Sequence, residues 1–171
     1  MSPSRNALLV LFGALLWSAS LSGAVLDVSG DGDDKPPVPG FVYQRAPFDC
    51  TPLQTLTLTA GLENSLVGDT TGGASAIDGY PCAPWPEAGP EDIYRLDVAA
   101  GDTIQFWAGL TNLDPEIDHD LFLLSGCDTD SCLIGASTEL TAVLTGGSYY
   151  LIVDGYSHRE PNEGPYTLDY K

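Results

Sequence analysis

Apolar and polar residues alternate in short segments from residue 50 to the C-terminus, and Gly, Asp and Pro residues separate these segments. The two-residue period is clearest at residues 56–58, 94–98, 104–108, 140–144 and 166–170. Residues 121–124 and 149–153 form more continuous apolar runs. A two-residue period is typical of strands that bury one face. The pattern therefore predicts an all-β domain, an antiparallel β-sandwich that is jelly-roll-like and has about seven or eight strands.

Two short glycine-containing segments, 99–102 and 145–148, lie between predicted strands. Glycine readily adopts the positive φ that tight turns between antiparallel strands require. Gly101, Gly146 and Gly147 therefore predict two hairpin turns, and repeated hairpins favour a meander-rich sandwich.

The N-terminus has the organisation of a secretory signal peptide. Arg5 precedes the apolar run 7–17, and Ser22, Gly23 and Ala24 supply the small residues of a cleavage site. The apolar run is shorter than the roughly 20 residues that span a bilayer. We therefore predict a signal peptide at residues 1–24 and an exported chain, whether secreted, periplasmic or at the cell surface.

Residues 25–47 have the composition of a linker. Aspartates and glycines are followed by Pro36, Pro37 and Pro39, and such a segment buries little apolar surface. A sequence that begins at Asp27 imitates half of a calcium loop, but Val38 stands where a bidentate glutamate is needed. The predicted organisation is an acidic Pro/Gly-rich tether at 25–47 and one β-sandwich domain at 48–171.

The chain is strongly acidic, with a formal net charge of −18 at pH 7. A field of this sign repels nucleic acid and anionic lipid, so we expect neither a nucleic-acid partner nor membrane insertion after the signal is removed. The same field attracts cations, which makes calcium the one cofactor to consider. Plain solubility in an extracellular medium explains the charge equally simply.

Four cysteines in an exported chain predict two disulfide bonds rather than a zinc site. They are Cys50, Cys82, Cys127 and Cys132. Three connectivities are open, and we favour the sequential pairs Cys50–Cys82 and Cys127–Cys132, since the Cys-x4-Cys spacing suits a bridge across a loop.

Asp118 and Asp120 are the candidate metal ligands. Carboxylates at i and i+2 of an extended chain point the same way, although calcium takes six to eight oxygens and the pair supplies only part of such a site. The alternative is that both acids face water where a strand begins.

Two tryptophans are the candidate ligand-binding residues. Trp107 falls on the polar side of its predicted strand, and Trp85 lies in a proline-rich loop that could hold its ring exposed. Flat aromatic surfaces suit an extracellular polysaccharide or protein polymer. The alternative is that both indoles cap the sandwich core.

The chain carries no recognisable catalytic constellation. Its two histidines, His119 and His158, belong to no His-Glu-x-x-His motif, and there is no Gly-x-Ser-x-Gly elbow. A solvated loop or strand-edge position suits both histidines better than a base beside a serine. We therefore predict that the protein is not an enzyme.

Several segments resemble the bacterial pre-peptidase C-terminal domains. The closing segments 146–155 (GGSYYLIVDG) and 164–168 (GPYTL) carry most of the likeness, and segments 68–72, 91–96 and 118–127 occur in the same order. The resemblance implies a jelly-roll-like sandwich with an accessory role, in secretion, localisation or polymer binding, and with calcium in some members.

The sequence therefore predicts a secreted non-catalytic accessory or binding module. A calcium-stabilised structural surface protein and an uncharacterised hydrolase are the alternatives.

Overall fold

Eight β-strands make up the computed structural model, which describes residues 25–30, 35, 48–156 and 162–171. The strands are β1 (Val25–Gly30), β2 (Gln54–Leu56), β3 (Asn64–Asp69), β4 (Asp92–Asn112), β5 (His119–Leu124), β6 (Cys132–Ala136), β7 (Glu139–Gly155) and β8 (Pro165–Tyr170). Within these residues the helical structure is limited to a 3-10 turn at Thr129–Ser131. No helix in this part of the chain is long and apolar enough to cross a membrane. The predicted all-β, antiparallel fold class is confirmed.

Two long strands, β4 and β7, pair antiparallel along almost their whole lengths and run through both layers of the sandwich. The first half of β4 pairs with β2, in parallel, and the second half of β7 pairs with β5, which pairs with β6. The second half of β4 pairs with β8 and through it with β3, while the first half of β7 pairs with β1. We call β2, β5, β6 and the halves of β4 and β7 that pair with them the β5 layer. We call β1, β3, β8 and the other halves of β4 and β7 the β8 layer.

The two predicted hairpins are wrong, because each glycine segment lies inside a long strand. Val98 pairs with Gly147 and Thr103 with Thr145, so β4 has extra residues where the pairing shifts register. Gly101 has φ +90°, and a Cβ on Gly146 would come within 2.7 Å of the Ala99 carbonyl oxygen. Glycine is needed here for a bulge and a close backbone approach, which let the paired strands bend from one layer into the other.

The predicted tether also needs correction at its start. Val25–Gly30 forms β1 and pairs with β7, with Val28 opposite Ala142. The segment pairs with the first half of β7, and Val28 packs against the core between the layers. Residues 31–34 and 36–47 of the tether, and the predicted signal peptide at 1–24, lie outside the described residues.

Apolar side chains form two cores, one between the layers and one on the outer face of the β5 layer. Leu121 and Leu123 pack into the core between the layers, whereas Phe122 and Leu124 pack into the second core. Residues 70–91, here called the cover segment, place Tyr80 and other apolar groups over that outer face. Burial on both faces explains why the apolar run 121–124 does not alternate with polar residues.

The four cysteines form two disulfides, as predicted, but the predicted pairing is wrong. The bonds join Cys50 to Cys127 and Cys82 to Cys132. Cys127 and Cys132 flank the 3-10 turn, and each bonds to a different segment. Each bond thereby ties a distant segment to the loop between β5 and β6, a non-local pairing that sequence spacing does not reveal.

We expect the Cys50→Ala/Cys127→Ala double variant to unfold more easily than the native protein. The bond closes a loop with a sequence separation of 77 residues, and the chain-entropy model gives such a bond about 4.5 kcal/mol of stabilisation. Urea unfolding followed by circular dichroism measures the loss.

A non-reduced tryptic digest distinguishes the observed bonds from the sequential pairing that the sequence favours. Cleavage after Arg45, Arg95 and Arg159 places Cys50 and Cys82 in one peptide, and Cys127 and Cys132 in the next. The observed bonds must link these two peptides. Two unlinked peptides, each with its own internal disulfide, would contradict the structure.

Candidate functional site

A lysine ammonium meets two aspartates where β5 begins. The Nζ of Lys35 is 2.5 Å from Oδ1 of Asp120 and also contacts its Oδ2, and it lies 3.3 Å from Oδ1 of Asp118. The side chain of Asp120 is fully buried, and that of Lys35 is 10% exposed. The ion pair is therefore almost completely withdrawn from water.

Two further carboxyl groups, those of Glu87 and Asp154, are buried beside this ion pair. Asp154 accepts hydrogen bonds from the Tyr80 hydroxyl at 2.8 Å and from the Gly155 N–H at 2.8 Å. Among the described residues, neither carboxylate oxygen of Glu87 receives an N–H or hydroxyl hydrogen bond. We call Lys35, Glu87, Asp118, Asp120 and Asp154 the Lys35 cluster.

Burial controls the protonation of the acids in the Lys35 cluster. It raises the pKa of Asp120 to about 6, against the opposing effects of Glu87 and Lys35. It also raises the pKa of Glu87 well above its ordinary value, and the negative charge of Asp120 adds to that rise. Glu87 is therefore the protonated partner, and its hydroxyl can donate to the carboxylate of Asp120.

The pKa of Lys35 reflects two opposing effects, burial and the neighbouring acids, and the acids together have the larger effect. Desolvation lowers its pKa, whereas the charge and hydrogen bonds of Asp120, with smaller contributions from Glu87 and Asp118, raise it above the ordinary value. Lys35 is thus an ammonium ion held by acids.

Aromatic rings enclose this ammonium. The ring centroid of Tyr156 is 4.4 Å from Nζ, and that of Trp85 is 6.0 Å away. Tyr80 of the cover segment stacks on Phe122 at 3.8 Å. The rings of Tyr156 and Trp85 attract the cation through their faces.

Asp118 and Asp120 therefore do face one cation, as their spacing indicates, but the cation is the Lys35 ammonium. Within the described ranges, no three His, Cys, Asp or Glu side chains are arranged to hold a metal ion. A calcium role for this pair remains a prediction, and a calcium ion would have to displace the ammonium.

His119 is buried rather than solvated, which corrects the sequence interpretation. Its Nε2 is 2.9 Å from the Thr70 hydroxyl and its Nδ1 is 2.7 Å from Oδ1 of Asn112. Burial lowers its pKa to about 4. The neutral ring is held by these two partners, while His158 lies outside the described residues.

Trp85 packs in the core of the β5 layer. Only 6% of its surface is exposed, so its ring is not available as a flat platform for a polymer. It caps the core, which is the alternative that the sequence left open.

Trp107 has the position that its phase on the strand predicts, half-buried on the outer face of the β8 layer. It lines a groove of about 500 Å³ with Gly61, Glu63, Gln105, Thr141 and Lys171. The Lys171 ammonium lies 4.6 Å from the indole centroid and 3.2 Å from Oε2 of Glu63. We call this the Trp107 groove.

Gly109 makes room for the indole of Trp107. A Cβ on Gly109 would come within 2.6 Å of the ring atom Cη2, so the ring lies flat along the strand above this glycine. The sequence did not reveal the residues that surround Trp107 and Asp120. Glu63 and Lys171, beside Trp107, come from opposite ends of the domain, and Lys35, beside Asp120, comes from the predicted tether.

Comparisons with known proteins give distant likenesses. No protein-family model matches the chain, and no curated protein matches it. The pre-peptidase C-terminal domain of a Bacillus anthracis collagenase is 20% identical, with a TM-score of 0.42 over 64% of this chain and 90% of that one. A Salmonella Typhimurium periplasmic inhibitor of g-type lysozyme is 15% identical, with a TM-score of 0.37 over 68% of this chain and 94% of that one. What the groove and the cluster do must be argued from their own residues.

We expect calcium to leave the melting temperature of the native protein unchanged, because the Lys35 ammonium already contacts both candidate ligands. Calorimetry in millimolar calcium, with sodium chloride at equal ionic strength as the control, measures this. A calcium-specific rise would mean that the ion binds the folded state and stabilises it by mass action.

We also expect a pH dependence from Glu91, the last residue of the cover segment, which directly precedes β4. Burial raises its pKa to about 7, although the Ala76 N–H donates to its carboxylate and opposes the rise. The folded state then binds more protons than the unfolded state between pH 4.5 and 7, so the free energy of unfolding decreases as pH rises through this range.

The Glu91→Gln variant isolates this contribution. Urea unfolding at several pH values should show a flatter profile for the variant, since the other titrating groups are common to both proteins. Parallel profiles for the two proteins would show that Glu91 does not titrate differently on folding.

Proposed function

We propose that this protein is an exported, non-catalytic binding module of the pre-peptidase C-terminal kind that recognises an uncharged extracellular polysaccharide through the Trp107 groove. The observation that carries the proposal is the half-buried indole of Trp107, which lies flat on an outer sheet face inside a groove lined by polar side chains. An apolar ring with a few fixed polar groups around it is a common arrangement in ligand sites.

The polar groups of the groove suit hydroxyl groups. Gln105 supplies an amide and Thr141 a hydroxyl, each able to donate and accept hydrogen bonds. Glu63 and Lys171 form an ion pair on the same wall, so their charges offset each other locally. The Lys171 ammonium lies over the indole, so a sugar ring stacks there by displacing this side chain, and its hydroxyls then bond to these neighbours.

Charge narrows the class of polymer. The chain carries a net charge of −18, and a field of that sign repels anionic polysaccharides at low salt. The groove itself offers one ammonium, and that ammonium is already paired with a carboxylate. An uncharged polysaccharide avoids both difficulties.

Export is supported by the disulfides and by the predicted signal peptide. Two formed disulfide bonds indicate an extracytoplasmic location, because reducing compartments keep thiols free. The proposal requires that the exported protein reaches a compartment in which the polysaccharide is accessible.

The non-catalytic role is supported by the state of the titratable groups. The ring of His119 is neutral and held on both sides, and the carboxyl groups that have strongly raised pKa values are buried in the Lys35 cluster. Neither set faces the groove in which a substrate would lie.

We expect the Trp107→Ala variant to lose affinity for an insoluble uncharged polysaccharide. Truncating an aromatic anchor typically costs about 2 kcal/mol, or a roughly 30-fold weaker binding. Sedimentation binding to cellulose, chitin and starch granules measures this, with collagen fibrils as the protein-polymer alternative.

Two further variants make the experiment specific. Gly109→Ala keeps the indole but forces it to move, so it should also weaken binding. Val67→Ala removes an apolar side chain that is 73% exposed on the same layer but does not line the groove, so it should bind normally. Native-strength binding by both Trp107→Ala and Gly109→Ala would contradict the proposed binding surface.

A further inference from the structure

The Lys35 cluster contains the three groups that an amide-forming reaction requires. These are an amine at Lys35, a carboxyl carbon at Asp120 within bonding reach of it, and a neighbouring acid, Glu87, that can move protons. All three are buried together. Removing either member of a buried ion pair would leave the other charge unpaired out of water, so the amine and the carboxyl group are held together.

We propose that Lys35 and Asp120 become joined by an intramolecular isopeptide bond, with Glu87 as the proton-transfer group. The proposal is independent of the polysaccharide role of the Trp107 groove, since it concerns a different set of residues on the β5 layer.

The reaction balances without any co-reactant. A proton first passes from the Lys35 ammonium to the Asp120 carboxylate inside the ion pair, which leaves a neutral amine beside a neutral carboxyl group. The Nζ lone pair then attacks Cγ of Asp120, and the C–N bond forms. Glu87 donates its proton to one Oδ and takes a proton from Nζ through its other oxygen. The C–O bond then breaks, water leaves, and Glu87 ends protonated as it began.

The geometry holds the two reacting groups together. Nζ contacts both carboxylate oxygens of Asp120, so the carbon between them is held against the amine. Positioned groups of this kind react with effective concentrations on the order of 10⁵ M or more. The Tyr156 ring holds the ammonium from the side at 4.4 Å.

The surroundings also supply the low polarity that the first step needs. Away from water, the free energy of the ion pair rises relative to that of the neutral amine and carboxyl pair, so the proton transfer costs less free energy than in water. The raised pKa of Glu87 keeps a proton next to the departing oxygen.

Asp120 is favoured over Asp118 as the acyl partner. The Asp120 side chain is fully buried and touches Nζ with both oxygens, whereas the Asp118 side chain is 22% exposed and lies 3.3 Å away through one oxygen. Glu87 also adjoins Asp120. The three groups of the reaction therefore meet only at Asp120.

The test is peptide mapping of the full chain, expressed with export, then reduced, alkylated and denatured. Trypsin does not cleave before proline, so Lys35 stays inside the peptide that ends at Arg45, and Asp120 lies in the peptide 96–159. We expect these two peptides to be linked and lighter than their sum by one water molecule. Separate peptides with unmodified masses would overturn the proposal.

Variants assign the roles. Lys35→Arg keeps a cation but supplies no nucleophilic amine, so its two peptides must separate. Glu87→Gln should form the link about 100-fold more slowly, which is the typical contribution of a general acid–base group. Asp118→Asn is the matched control, because it removes a neighbouring charge but not the acyl partner, and it should still be linked.

Each of these results decides a separate part of the proposal. A link in Lys35→Arg would show that another amine reacts and would overturn the assignment of Lys35. A native rate of linking in Glu87→Gln would overturn the role of Glu87. Fragment spectra that place the bond on Asp118, or loss of the link in Asp118→Asn, would overturn Asp120 as the partner.

Discussion

The pairing between β4 and β7 is the interaction on which the rest of the structure depends. It runs from Asp92 opposite Val153 to Gly109 opposite Glu139, with one shift of register between Val98 and Thr103. Both strands therefore bend together and contribute to both layers, so the core between the layers is largely built from their alternate residues. Antiparallel pairing over this length also fixes which side chains face outward on each layer.

That constraint separates two chemically different surfaces. The half of β4 in the β8 layer carries Trp107 and Gly109 on its outer face, and this face stays open to form the groove. The half of β7 in the β5 layer carries Asp154 on an outer face that the cover segment closes. One pair of strands thus holds an exposed aromatic surface in one layer and a buried charged cluster in the other.

The cover segment explains why charges can be buried at all. It brings Glu87 and Trp85 over the end of β5, and the strand at that end supplies Asp120. Several acids packed together out of water would repel one another strongly. The ammonium of Lys35 offsets part of that repulsion, and protonation of Glu87 removes another part, so the cluster needs both the cover segment and Lys35 to be stable.

Much of the fold could be predicted from the period-two pattern, since alternation reports directly which face of a strand is buried. The bends could not, because Gly101 serves a bulge as readily as a hairpin and local sequence does not distinguish the two. The disulfide pairing was also hidden, because Cys127 and Cys132 are near neighbours in sequence but bond to segments that only the folded sheet brings close. Lys35 was hidden for the same reason: a single lysine between aspartates and prolines carries no pattern, and its role depends on Asp120, 85 residues later. The candidate site could therefore be predicted only in part. Trp107 and Asp120 could be predicted from the alternation along a single strand, which is a local signal. Their partners could not, because long-range packing brings them to the site.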